Sequence, residues 1–167
     1  ADGICSLIVH EAECIIAGPK GIREIPVEDM CVGPGRNALD EGEFLVSIKI
    51  PLKNSTFSAS YERFIPRNEM DIAVAAVASS VTLENGKISS CRIALAAVGP
   101  TPIFAKEASQ MLIGKEPTEE NIKNASNKAK EIASPISDMR GTVEHRKDLI
   151  EVLTRRTLSK AVERVGV

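Results

Sequence analysis

Residues 72–98 read IAVAAVASSVTLENGKISSCRIALAAV, and the middle of this stretch decides the fold. Asn85-Gly86 is a strong signal for a two-residue β-hairpin turn, which needs residues that tolerate positive φ. The segment before the turn, 72–83, is apolar or small at both parities. Its alanines would also suit the start of a helix, but Ser79, Ser80, Val81 and Thr82 favour a strand. Residues 87–98 are apolar and β-prone in turn. The stretch therefore reads as a hairpin at the heart of an antiparallel sheet.

Working outward, residues 60–65 form a plausible preceding strand. Residues 52–58, LKNSTFS, are polar and turn-rich, and a subdomain boundary is expected there. Residues 44–51, FLVSIKIP, alternate, with Leu45, Ser47 and Lys49 on one side and Phe44, Val46, Ile48 and Ile50 on the other. That predicts a half-buried strand ending at Pro51. Residues 7–17 and 22–27 flank the turn Gly18-Pro19-Lys20-Gly21 and read as another hairpin. After residue 100 the period becomes helical. Thr101-Pro102 reads as an N-cap and first helical position, with Ala105, Ala108, Met111 and Leu112 as the apolar stripe and Gly114 as the stop. Thr118 caps a second helix lined by Ile122, Ala125, Ala129 and Ile132. A third runs from about residue 143 to 163 on Leu149, Ile150, Leu153, Leu158, Ala161 and Val162. Strands first and helices last predict an α+β fold, an antiparallel sheet with three helices packed on it.

The chain has 167 residues, enough for one domain of ordinary size or one and a half small ones. It is 43% hydrophobic but 3% aromatic, with one Tyr and no Trp, so its core must be aliphatic. The net charge of -2 and scattered basic residues argue against nucleic-acid binding, which needs a concentrated positive surface. Arg155-Arg156 is too short to form one. No apolar run approaches the roughly 18–20 residues needed to cross a bilayer. The start, ADGICSLIVHEAECII, carries acids early and lacks a secretory leader. A cytoplasmic protein is expected; the missing initiator Met suits a processed, cleaved or truncated product. Cys5, Cys14, Cys31 and Cys91 are irregularly spaced without a Cys-x-x-Cys, so they read as reduced structural thiols, neither zinc nor cluster ligands.

Few residues announce chemistry. Cys31 to Arg36, CVGPGR, has glycines that could converge backbone N–H groups on an anion, but it lacks the spacing of a dinucleotide or nucleotide loop, and a plain turn is favoured. Nothing in sequence brings Glu41, Glu43, Glu69 and Asp71 together, so solvated acids are the simpler reading. His145 lies in a first helical turn with no identifiable catalytic partner. No Ser or Cys has a base at useful spacing. Arg63 and Arg67 stand four apart before a hydrophobic strand. A fixed guanidinium beside a cofactor stabilises electron-rich states, although pairing with a local Glu is favoured on spacing alone.

The spacing Tyr-x-Arg-x-x-x-Arg-x-x-x-Asp-Ile-Ala from Tyr61, with PISDMRGTVEHRKDLIEVLTRR from Pro135, resembles the FAD-binding subunit of the molybdenum hydroxylases, the carbon monoxide, xanthine and nicotinate dehydrogenases. Ala1-Asp2, GPGRNALDEGEFLVSIKIP from Gly33 and RIALAAVGPTPIFAKEA from Arg92 extend the resemblance in the same order. It implies that residues 1–52 are the closing strands of an FAD-binding subdomain, without the glycine-rich loops of the family's first half, and that 53–167 are the C-terminal α+β domain. It also implies cofactor contacts. Asp2 would hydrogen-bond the ribityl region, and Phe44-Leu45 would flank the adenine or ring. Tyr61 would sit near the isoalloxazine, and Arg63, where relatives more often have Lys, at its polar edge. His145, where relatives often have Tyr, would pack. No catalytic or metal-ligating residue is implied. The implied function is passage of electrons from iron–sulfur clusters through FAD to an acceptor. The clusters and the molybdenum cofactor would be supplied by an iron–sulfur subunit and a molybdenum subunit, and the rest of the flavin site by an N-terminal FAD-binding half. The chain would be inactive in isolation. The alternative is an assembly module of such a complex that does not bind flavin alone.

Overall fold

The computed structural model describes residues 2–67 and 70–165. The elements are α1 (Asp2–Val9), β1 (Glu13–Gly18), β2 (Gly21–Pro26), β3 (Cys31–Gly33), β4 (Arg36–Asn37), β5 (Phe44–Lys49), β6 (Phe57–Phe64), β7 (Ala75–Glu84), β8 (Lys87–Ala96), β9 (Ile103–Phe104), α2 (Lys106–Gln110), α3 (Glu119–Ile132) and α4 (Val143–Arg164). The α+β class holds: β6-β7-β8-β9 form one antiparallel sheet, β2-β1-β5 a second, and β3-β4 a short ribbon.

Asn85 (φ 52°) and Gly86 (φ 77°) both take the left-handed conformation and close the β7–β8 turn, with Glu84 opposite Lys87. Register then sorts the main sheet into two faces, because successive side chains alternate. Val77 and Val81, with Ile93 and Leu95 beside them, point toward the three C-terminal helices, where Ala108, Ile122, Ala125, Ile150 and Leu158 complete the core. Ala76 opposite Ala96 and Ala78 opposite Ala94 make a block of four alanines on the other face. There α1 lies down through Cys5, Ile8 and Val9. Burial on both faces is why residues 73–81 are apolar or small at both parities. It also places a fourth helix, from the N-terminal segment, opposite the three expected.

Several local expectations are corrected. Residues 2–9 are helical, and the first strand begins only at Glu13. Cys5, Ile8 and Val9 stand at helical spacing, and the alanine block gives that face a partner. Strand β5 does not alternate cleanly. Ile15 pairs Ser47 but Ile16 pairs Leu45, so Val46 is an extra residue and the parity flips across it. All six β5 residues are exposed, not half-buried. The Thr101-Pro102 helix start is replaced by β9, whose pairing to Ala94 and Leu95 satisfies backbone groups that a helix end would leave open. Helix α2 begins later, after Ala105. The two longer helices match expectation, with Thr118 and Thr142 accepting from the backbone N–H groups of Asn121 and His145.

Sequence reasoning passed over Arg146. Its buried guanidinium donates to the carbonyls of Val74 (2.9 Å) and Ala97 (3.2 Å) and to Asp138 (2.6 Å), pinning the loop before α4 to the sheet's end. That loop is the second segment of the family resemblance.

Ala78→Leu would force extra carbons under α1. Overpacking of this kind costs about 1–3 kcal/mol, so the urea midpoint should fall; an unchanged midpoint would mean that α1 is not seated on these alanines.

Candidate functional site

The β6–β7 register carries the alanine face one strand further: Tyr61 lies opposite Ala78 and Arg63 opposite Ala76. Both side chains therefore share the face on which α1 rests, and they meet its first residue. Tyr61 donates its hydroxyl to Asp2 Oδ1 at 2.8 Å, and Arg63 Nη1 donates to Asp2 Oδ2 at 2.5 Å. Three residues separated by some sixty positions thus form one cluster. Arg63 takes the distant acid, not a local Glu. Asp2 also lies where the helix dipole favours an anion. The Asp2 side chain is 55% exposed, and each of its oxygens takes one of these bonds. A carboxylate has about four lone-pair sites, and a guanidinium five N–H donors. The cluster therefore keeps acceptor and donor capacity beyond its internal bonds. Burial pushes the Tyr61 phenol well above its ordinary range, reinforced by its hydrogen bond to Asp2 and by the carboxylate charge.

The other expected contacts lie elsewhere. Phe44 and Leu45 are on β5, 60% and 40% exposed. As neighbours on a strand they point to opposite faces. Leu45 lies opposite Ile16, on the side where α1 packs, and Phe44 lies opposite Ala17. CVGPGR is a tight turn between Gly33 and Arg36 with Gly35 at φ 64°, as the plain reading had it. Glu43 is held by Arg23 at 2.7 Å and Asp71 by Arg67, while Glu69 lies outside the described residues. The His145 ring packs edge-on against Phe64. The described residues contain no group of three or more His, Cys, Asp or Glu that could hold a metal ion, and no helix long and apolar enough to cross a membrane.

Among the concavities of the described residues, one of about 180 Å³ adjoins Tyr61 between Ser6, His10 and Arg164, and two larger ones lie away from the cluster. A groove of about 650 Å³ is lined by Arg155, Arg156 and Lys160 but also by Glu62, Glu119 and Glu163, so its charges balance. A cleft of about 430 Å³ reaches Arg146, whose two terminal nitrogens are committed to two carbonyls and Asp138 while its buried Nε has no partner among the described residues. Neither gathers donors and acceptors as the Asp2 cluster does.

The architecture is that of the flavoprotein component of molybdenum hydroxylases. Residues 60–161 match the family model described as the CO dehydrogenase flavoprotein C-terminal domain, and residues 1–53 match the FAD binding domain in molybdopterin dehydrogenase. The chain belongs to the CO dehydrogenase flavoprotein family. It is 33% identical over 149 residues to the carbon monoxide dehydrogenase medium chain of Afipia carboxidovorans, covering 89% of this chain and 51% of that one. It is 28% identical over 167 residues to the xanthine dehydrogenase FAD-binding subunit of Escherichia coli O157:H7, covering 99% and 57%. The solved carbon monoxide dehydrogenase of Hydrogenophaga pseudoflava that lacks the Mo-pyranopterin moiety superposes with a TM-score of 0.94 at 30% identity, covering 99% of this chain and 57% of that chain. The chain thus spans a little over half the length of the curated relatives it matches.

Tyr61 is the chain's one tyrosine and there is no tryptophan, so tyrosinate absorbance reports this site alone. In the folded chain it should appear only well above the ordinary value of 10.0, and in denaturant near that value. The raised pKa stabilises the fold below about pH 10, and that contribution is lost as pH rises further. Asp2→Asn should bring the folded titration down; a folded curve that coincides with the denatured one would show that the phenol is neither buried nor bonded.

Proposed function

We propose that this chain is part of the FAD-binding subunit of a molybdenum-containing dehydrogenase or hydroxylase, in which electrons pass from iron–sulfur clusters through FAD to an acceptor. The observation that carries the reading is the assembly of Asp2, Tyr61 and Arg63 into one partly exposed cluster. Its chemistry fits a flavin. The pyrimidine edge of the ring has an N–H donor flanked by carbonyl acceptors, and the cluster offers a carboxylate beside a guanidinium and a phenol. When bound, FAD supplies the redox chemistry itself. Asp2 would accept from the ribityl or ring N–H groups. Arg63 would donate to a ring carbonyl and set a fixed positive charge there. Tyr61 holds the carboxylate in place. Leu45, on the side of α1, is the member of the β5 pair that we place near the cofactor, and Phe44 belongs to an apolar face covered by another segment.

The reading keeps residues 1–52 as the end of the FAD-binding subdomain and 53–167 as the C-terminal domain. It assigns the remainder of the flavin site to an N-terminal half, and the iron–sulfur clusters and molybdenum cofactor to partner subunits. The exposed β5 edge, with Phe44, Val46, Ile48, Ile50 and Leu52 uncovered, supports a further segment there. Such a chain would be inactive alone.

Asp2 and Arg63 compensate each other's charge, so their removal should act oppositely on the flavin. In the native complex Arg63→Ala should weaken FAD binding about tenfold, the scale of one charge-assisted hydrogen bond, and make the flavin potential more negative. Asp2→Asn should also weaken binding but make the potential more positive. Unchanged affinity and potential in both variants would remove the cluster from the cofactor site.

A further inference from the structure

The face that carries the cluster continues to the far end of α1. Ala59 of β6 lies opposite Ser80 of β7, which lies opposite Arg92 of β8. Ser80 donates its hydroxyl to the carbonyl of Val9 at 2.9 Å, and Arg92 donates Nε to the carbonyl of Ile8 at 2.8 Å. Arg92 is fixed from two further sides: Nη2 reaches Glu28 at 2.5 Å, and the guanidinium lies 3.9 Å from the centre of the Phe104 ring. The same sheet face thus grips the helix at both ends, by Tyr61 and Arg63 at Asp2 and by Ser80 and Arg92 at the terminal carbonyls.

An eight-residue helix is about 12 Å long and marginal on its own, so its position is set by what holds it. A cation is favourable at its C-terminus. The Arg92–Glu28 pair is poorly suited to adding stability, because the second carboxylate oxygen, Oε2, is buried with no partner among the described residues. What the pair does achieve is placement: Glu28 orients the guanidinium, the ring of Phe104 stacks on it, and its remaining edge faces the end of α1.

We propose that Arg92 is a positioning residue of the flavin site, acting through the Ile8 carbonyl to fix α1 along the sheet and so to place the Asp2 carboxylate. This rests on the reading of Asp2 as a flavin contact. Lys at this position can reach the carbonyl or Glu28 but cannot bond both in the fork geometry or stack as a plane.

The test is a double-mutant cycle on the native complex, with FAD dissociation followed by flavin fluorescence and folding by thermal melting. Arg92→Lys should raise the FAD dissociation constant about three- to tenfold, while in an Asp2→Asn background the same change should raise it less than about twofold. Glu28→Gln leaves Arg92 in place and should act in the same direction with smaller size, and it carries the test if the Arg92 variant does not fold. Two results overturn the inference alone: a lowered melting temperature with unchanged FAD affinity, or an equal fold-change in both backgrounds. Asp2→Asn with unchanged FAD affinity overturns the reading of the site, and the inference with it.

Discussion

The structure depends on the close approach of one short helix to one sheet face, and four alanines make that approach possible. Ala76, Ala78, Ala94 and Ala96 present almost no side chain above the sheet, so α1 can settle with Cys5, Ile8 and Val9 fully enclosed. Larger residues would lift the helix and carry Asp2 out of reach of Tyr61 and Arg63. Packing and site are therefore one constraint. The alanine block sets the height of α1, and the polar residues around it set where the helix stops along its length. The opposite face has no such need and is filled with Val, Ile and Leu against the three C-terminal helices.

Electrostatics follow the same division. Arg63 and Arg92 stand on the same sheet face, each with an acid from the N-terminal segment, Asp2 and Glu28. Arg146, on α4, works at the end of the sheet that also carries Arg63, bonding the carbonyls of Val74 and Ala97 together with Asp138. Ala97 has φ 62°, an unusual value for a residue with a Cβ, and the cation holds its carbonyl. Arginine suits the places of Arg92 and Arg146 because a planar fork can bond a carboxylate and a carbonyl together. Such burial leaves polar atoms unmatched on both partners, Nε of Arg146 among them. The N–H of Arg140, helped by Arg146, keeps the Asp138 carboxyl below its ordinary range, while Glu28 leaves one oxygen unmatched.

Elements fixed by local chemistry were legible in the sequence. Asn85-Gly86 encodes its turn without help from the rest of the chain, and Thr118 encodes a helix start in the same way. Elements fixed by pairing were not. Thr101-Pro102 carries every local sign of a helix start, yet backbone bonds to β8 outcompete it. The β5 alternation looked clean because one bulge at Val46 leaves no mark in composition. Helix α1 is not legible, and its end from Leu7 reads as strand, since its apolar spacing acquires meaning only against a face made of alanines more than sixty positions later. Among the expected site residues, Asp2, Tyr61 and Arg63 came from family resemblance and converge in space. Phe44 and Leu45 came the same way and diverge, because adjacent strand residues face apart. Arg92 carried no signal of its own, being one charge in an apolar run. Its company on the sheet, between Ser80 and Phe104, makes it informative.

Edge strands exposed to water are ordinarily blunted with charges, proline or bulges. Strand β5 has the bulge, and Lys49 on it reaches Glu13 and Glu24. Yet it also exposes Phe44, Val46 and Ile48, and the chain continues through Ile50 to a fully exposed Leu52. A strand with this much bare apolar surface and an unused row of backbone groups is built to be covered. Flipping parity at Val46 splits that surface between two sides: Leu45 and Ile48 face the side where α1 packs, and Phe44 faces away. One covering segment along the edge would meet both sets, on the side of the small sheet where α1 packs and on the other. On the proposed reading, in which Asp2, Tyr61 and Arg63 form one wall of a flavin site, such a segment would be a source of the facing wall.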